Sequence, residues 1–206
     1  MGGGFDHSVF VNCPYDNQFK PLLQPLLFCL VFAGLSPRLA LERRDSGELR
    51  LNKIVELIRN SKYAIHDLSR MEAQNAGELF RLNMPFELGL DIGCRLFSDG
   101  ERRDKRCLIL DRERYRYQAS ISDLAGTDLG AHADEPKEMV AVVRDWLCSE
   151  ADCDLPGPSR IWSAFLDFMA WDFARLSALG YSKRDIERVQ IVELLAHMNE
   201  WVANQH

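Results

Sequence analysis

Short apolar runs alternate along this chain with longer stretches whose apolar residues recur at helical spacing. Val9-Phe10-Val11 is β-rich and is closed by Asn12-Cys13-Pro14, so it predicts a first, buried strand. Residues 17–34 carry a broad apolar helical face, with Gly34 placed to end the helix. Pro21 suits a first turn, whereas Pro25 is expected to kink or delay the helix. Residues 37–42, with Leu39 and Leu41 alternating, predict a second strand, followed by the charged turn 43–47. Ile54, Val55 and Ile58 mark a helix over 51–59, and KYAIHD (62–67) a third strand. Residues 69–82 form a polar connection. A helix over 84–97, with Pro85 in its first turn, leads to a fourth strand, RCLIL (106–110). A short fifth strand is expected over 127–131, and Met139, Val142, Val143, Trp146 and Leu147 line a helix over 136–148.

Strands alternating with helices predict an α/β fold, a parallel sheet of about five strands with helices on both faces. Ligands of such sheets bind at the carboxyl ends of the strands. Residues 12–16, 43–47 and 67–70 each follow a strand, and the start of the 84–97 helix comes to the same edge. Beyond Asp152 the pattern changes. Leu155-Pro156-Gly157-Pro158 punctuates the chain, an apolar helix covers 159–178, and Ser182 with Asp185 opens a second helix running to about Ala203. The expected organisation is an α/β domain over 1–152 and a C-terminal helical hairpin over 153–206, for packing, oligomerisation or partner docking. The aromatic stripe Trp162, Phe165, Phe168, Trp171 and Phe173 suits core packing or an interface.

Composition narrows the classes. The formal net charge of -6 argues against direct nucleic-acid binding or an anionic membrane surface. The apolar stretch Leu22 to Leu35 is broken by Gln24, Pro25 and Gly34 and is too short to span a bilayer. The start MGGGFDHS has neither a basic nor an apolar leader region, and the six cysteines form no C-x-x-C pair. The expectation is a cytoplasmic protein with reduced thiols and no metal site. No Ser–His–Asp arrangement, Walker loop, GxGxxG or H-E-x-x-H is present.

One constellation suggests chemistry. In NMPFELGL (83–90), Glu87 sits among apolar residues and glycines near the start of a helix. The helix N-terminus would lower its pKa, and an ionised carboxylate at a cleft edge can stabilise or attack an oxocarbenium ion. The competing reading is that Glu87 only caps its own helix. Gly89 and Gly93 would admit close approach of a strand or ligand. Asp67 and Asp16 are candidate ribose acceptors, against an Asx-turn and a helix N-cap respectively. Tyr15 could stack on a base, and Arg43 or Arg44 could grip a pyrophosphate, against a plain exposed turn. Asn12, Ser69, Asn83 and Phe86 complete the candidate substrate-binding set. His66 is expected to point inward and find a hydrogen bond.

The succession VFVNCPYD, helix, LALERRDSGE, NKIVELIRNSKYAIHDLS, then a helix carrying Glu87, resembles the TIR domain over residues 7 to about 148. TIR enzymes usually carry a W-C-x-x-E-like stretch before the Glu. NMPFELGLDIG departs from that and looks more like the nucleoside deoxyribosyltransferases, whose Glu sits in an F-E-L-G-like helix start. The resemblance implies a flavodoxin-like core and N-glycosidic bond cleavage by Glu87, with NAD as substrate rather than cofactor. It further implies release of nicotinamide followed by hydrolysis, cyclisation or transfer, self-association or a defence-system partner protein, and a role in bacterial antiphage defence. The alternatives are a TIR-like scaffold or sensor that binds nucleotide without catalysis, and a nucleoside 2-deoxyribosyltransferase-like enzyme.

Overall fold

The computed structural model describes residues 4–43, 45–72, 81–114, 116, 121–124 and 128–205. Its centre is a five-stranded sheet of β1 (Ser8–Asn12), β2 (Ser36–Arg38), β3 (Tyr63–Asp67), β4 (Arg106–Asp111) and β5 (Leu129–Ala131). Every pairing is parallel and the order is 2-1-3-4-5, the flavodoxin-like arrangement. All five residues of β1 and of β3 are buried, as expected of central parallel strands covered on both faces.

Alternation along β1 divides the core. Val9 and Val11 face α1 (Lys20–Phe32) and α4 (Pro136–Glu150), while Phe10 packs with α2 (Arg50–Arg59). α3 (Asn83–Phe97) lies on the α2 side, where Met84 and Leu88 meet Leu68 and Ile109. Helices therefore cover both faces. α1 runs unbroken through Pro25, so the expected kink or delay does not occur. Only the bond from residue 25 to the carbonyl of Pro21 is lost, within the second turn. Gly34 ends this region at φ 74°, a left-handed conformation that suits glycine.

Two expected elements differ. β2 covers only Ser36–Arg38, because the chain turns at Leu39, where Glu42 Oε1 accepts from the Leu39 N–H at 2.6 Å. Leu39 is buried, but beyond the strand. At the C-terminus, α5 (Pro158–Ala178) is as expected, and Ser182 and Asp185 form a reciprocal capping box. The helix that follows is split, however, into α6 (Lys183–Glu187) and α7 (Ile191–Ala203). Lys20 Nζ donates to the Glu187 carbonyl at 2.6 Å and Val189 packs on the core, so tertiary contacts interrupt a locally helical sequence. α5 and α7 pack against α1 through the same core cluster that β1 joins: Phe168 stacks on Phe28, and Phe165 and Trp201 lie tilted against it. No helix among the described residues is long and apolar enough to cross a membrane.

Candidate functional site

The strand order reverses between β1 and β3, and the carboxyl ends of strands at such a switch point are where ligands of parallel sheets bind. Asn12 ends β1 there and is almost wholly buried. Its Nδ2 donates to the Met84 carbonyl in the first turn of α3 at 2.9 Å and lies 3.0 Å from His66 Nδ1. The carbonyl fixes the amide orientation, so His66 accepts at Nδ1 and carries its hydrogen on Nε2. That nitrogen faces Asp91 Oδ2 at 3.2 Å. Asp91 Oδ1 is 3.0 Å from Lys105 Nζ, which also donates to the Ile58 carbonyl at 2.8 Å and to that of Ser61. A buried polar chain thus runs from the end of β1 beneath α3 to the end of α2. Burial alone would raise the Asp91 carboxyl; His66 and Lys105 together hold it below its ordinary value.

This chain anchors the start of α3, and Glu87 projects from its second turn. Glu87 is 3 % exposed. Its Oε1 lies 3.6 Å from Arg50 Nη2, at the first residue of α2. Burial pushes the Glu87 carboxyl up from its ordinary value, opposed by Arg50. The lowering expected from the helix N-terminus is therefore overturned: desolvation outweighs the favourable charge. Nor does Glu87 cap the helix, whose first turn holds no acidic residue. Gly89 and Gly93 are not used for close strand approach. Open space surrounds Gly89, and Gly93 meets only the ring of Phe97, so neither receives a strand.

The remaining candidates occupy distinct places. Asp67 is fully buried at the end of β3. Its Oδ1 accepts from the Ser69 N–H at 3.0 Å and from Ser69 Oγ at 2.5 Å, an Asx-turn. Its Oδ2 stands 3.0 Å from His132 Nε2, off hydrogen-bond direction. His132 Nδ1 accepts from the Asp134 N–H at 3.1 Å, and Asp134 and its neighbour Ala133 have positive φ. Asp16 Oδ1 accepts from the Gln18 and Phe19 N–H groups, and its Oδ2 is 2.6 Å from Arg81 Nη1. Tyr15 packs locally, its hydroxyl donating to the Val11 carbonyl at 3.0 Å. Arg43 is held by Glu56 and Glu48, at 2.8 and 3.1 Å. Arg44 lies outside the described residues. Asn83 and Phe86 are exposed on the first turn of α3.

Asn12, Glu87, Asn83 and Phe86 thus meet at one helix start, whereas Arg43 is turned to α2. Cys13 is buried beside them. Burial, with Asp67, Glu87 and Asp16 adding to it, raises its thiol well above the ordinary value and leaves it a poor nucleophile. The sequence reading missed Arg50, Asp91, Lys105 and His132 because each acts through a partner distant in the chain. Among the described residues, no three side chains form a metal-binding group. Comparison with protein-family models, with curated proteins and with solved structures finds no match to this chain.

Proposed function

We propose that this protein is a TIR-like enzyme that cleaves the nicotinamide–ribose bond of NAD. The observation that carries the reading is Glu87: a carboxylate 3 % exposed, at the switch point of a 2-1-3-4-5 parallel sheet, with a half-exposed arginine at 3.6 Å. The pyridinium of NAD is a cationic leaving group. When the C1′–N bond breaks, its electron pair neutralises the ring nitrogen, so no proton need be supplied. Positive charge develops at C1′ and the ring oxygen. An ionised carboxylate in a desolvated site stabilises that charge, or bonds to C1′, far more strongly than one in water. Water then adds its oxygen to C1′ and releases a proton; an adenine nitrogen of the same molecule or an external acceptor gives a cyclic or transferred product. Asn12 contributes by fixing the first turn of α3 and hence the height of Glu87 above the sheet.

The test is a product profile. Wild type and Glu87→Gln are incubated with NAD, and separately with deoxynucleosides, at high protein concentration with crowding agents, because activity that depends on self-association would otherwise be silent. Chromatography follows the released base. Nicotinamide release by wild type, reduced about a thousandfold or more in Glu87→Gln, is expected. Turnover of deoxynucleosides with NAD inert would replace NAD by the deoxyribosyltransferase-like reaction. Turnover of neither would leave a nucleotide-binding or assembly module. A role in antiphage defence belongs to this same proposal.

A further inference from the structure

Arg50 is held at a longer distance from its carboxylate than four other arginines near the carboxyl edge. Arg43 is bound by two glutamates, Arg81 by Asp16, Arg70 by Asp134, and Arg116 by Asp111 and Glu72. Among the described residues Arg50 pairs with Glu87, and the pair is lopsided: 53 % of the Arg50 side chain is exposed against 4 % of Glu87. A separation of 3.6 Å to a single oxygen is Coulombic contact, not the two parallel bonds of a bidentate pair. More than half of the Arg50 side chain is exposed, and no second ion pair holds it among the described residues. Arg50 opens α2 and Glu87 stands in the second turn of α3, so the contact joins the starts of the two helices. The flanking Leu49 and the nearby Phe86 are exposed apolar side chains at the same two helix starts.

Resting on the NAD-cleavage reading, we propose that Arg50 is a specificity residue that covers Glu87 at rest and is drawn off it by a phosphate on the scissile ribonucleoside. A phosphate offers the fork two or three oxygens and a larger charge than the carboxylate, at a distance that allows bidentate bonding. Turning outward to grip it uncovers Glu87 and removes the cation that offsets its charge. The substrate class is then a 5′-phosphorylated ribonucleoside, and a bare nucleoside leaves the cover in place.

The test separates binding from turnover. Nicotinamide mononucleotide and nicotinamide riboside share the base and the scissile bond and differ in one phosphate. Their affinities are measured by titration calorimetry on Glu87→Gln, and on the same chain also carrying Arg50→Ala or Arg50→Lys. Arg50 is half exposed, so its truncation leaves the core intact, and a thermal melt verifies this. The expected result is that the mononucleotide binds at least about tenfold more tightly than the riboside, that Arg50→Ala erases the difference, and that Arg50→Lys keeps part of it. In the otherwise wild-type enzyme, Arg50→Ala lowers kcat/KM for the mononucleotide and leaves or raises that for the riboside. A merely structural role would lower both alike. Equal affinities with Arg50 present, no binding of either compound, or a preference that survives Arg50→Ala overturns the proposal. Failure of the NAD-cleavage reading shows instead as absent turnover, or turnover that survives Glu87→Gln.

Discussion

Burying the Glu87 side chain costs free energy whenever it is ionised, and this gives a pH dependence with a definite sign. Its carboxyl is raised on folding from an ordinary value near 4.5, by burial, with Arg50 opposing. The native state therefore holds this proton more tightly than the unfolded chain does. The stabilisation is present in full below the ordinary value and is lost as pH rises through the raised one. Glu87→Gln removes the penalty while keeping the shape. At pH 7 the variant should be more stable by about 1 kcal/mol, or ~2–4 °C in Tm, and the gap should close below about pH 4. Thermal melts of both proteins between pH 3.5 and 8 measure this. A Glu87 that merely capped its helix would show the opposite sign at pH 7. Glu87 was visible in the sequence as a carboxylate in an apolar segment. Its partner was not: Arg50 lies 37 positions earlier, and nothing local distinguishes it from Arg43 or Arg44. Arg43, the nearer match to a phosphate-gripping turn, is instead held by Glu48 and Glu56 on its own side of the molecule.

Elements meet at two places where a single change should be costly. β5 passes under α4 at Gly130. A Cβ there would lie well inside van der Waals contact of Val142 Cγ1 and 2.8 Å from Leu110 Cδ2. Gly130→Ala should cost about 1–3 kcal/mol by overpacking, and Val142→Ala should recover part of it, which chemical denaturation of the single and double variants would measure. Lys105 joins β4, α2 and α3: it pairs with Asp91 and donates to the carbonyls of Ile58 and Ser61. Lys105→Met leaves a buried carboxylate and two carbonyls poorly satisfied, so a loss of about 3–5 kcal/mol is expected in the same experiment. Central elements were the legible ones. β1 and β3 announced themselves as apolar runs because parallel strands are buried on both sides. The early end of β2 and the split between α6 and α7 were not legible, since a glutamate bonding back to Leu39 and a lysine from α1 reaching the Glu187 carbonyl set those ends. Local periodicity carries no information about such contacts.

At the scale of the whole molecule, residues 155–206 stand on the core rather than beside it. Phe28 on α1 has ring centroids of Phe165, Phe168 and Trp201 at 5.6, 5.5 and 5.7 Å, and Leu155, Ile161, Leu194 and Met198 belong to the same buried cluster. α1 in turn covers β1, whose last residue Asn12 holds the start of α3 in place. Removing residues 155–206 would strip the outer face of α1 and leave this aromatic cluster in water. The expected outcome is loss of the cooperative thermal transition and aggregation on expression, not a soluble α/β unit that has lost only its ability to assemble. Trp201→Ala in the full chain tests the same packing more gently. It should lower stability by about 3–5 kcal/mol, read from the denaturant midpoint. A truncated chain 1–154 that stays soluble and melts cooperatively would show that the α/β part folds alone. The C-terminal helices would then be free to serve as a docking element, and size-exclusion mass measurements of both chains at matched concentration would show whether assembly depends on them.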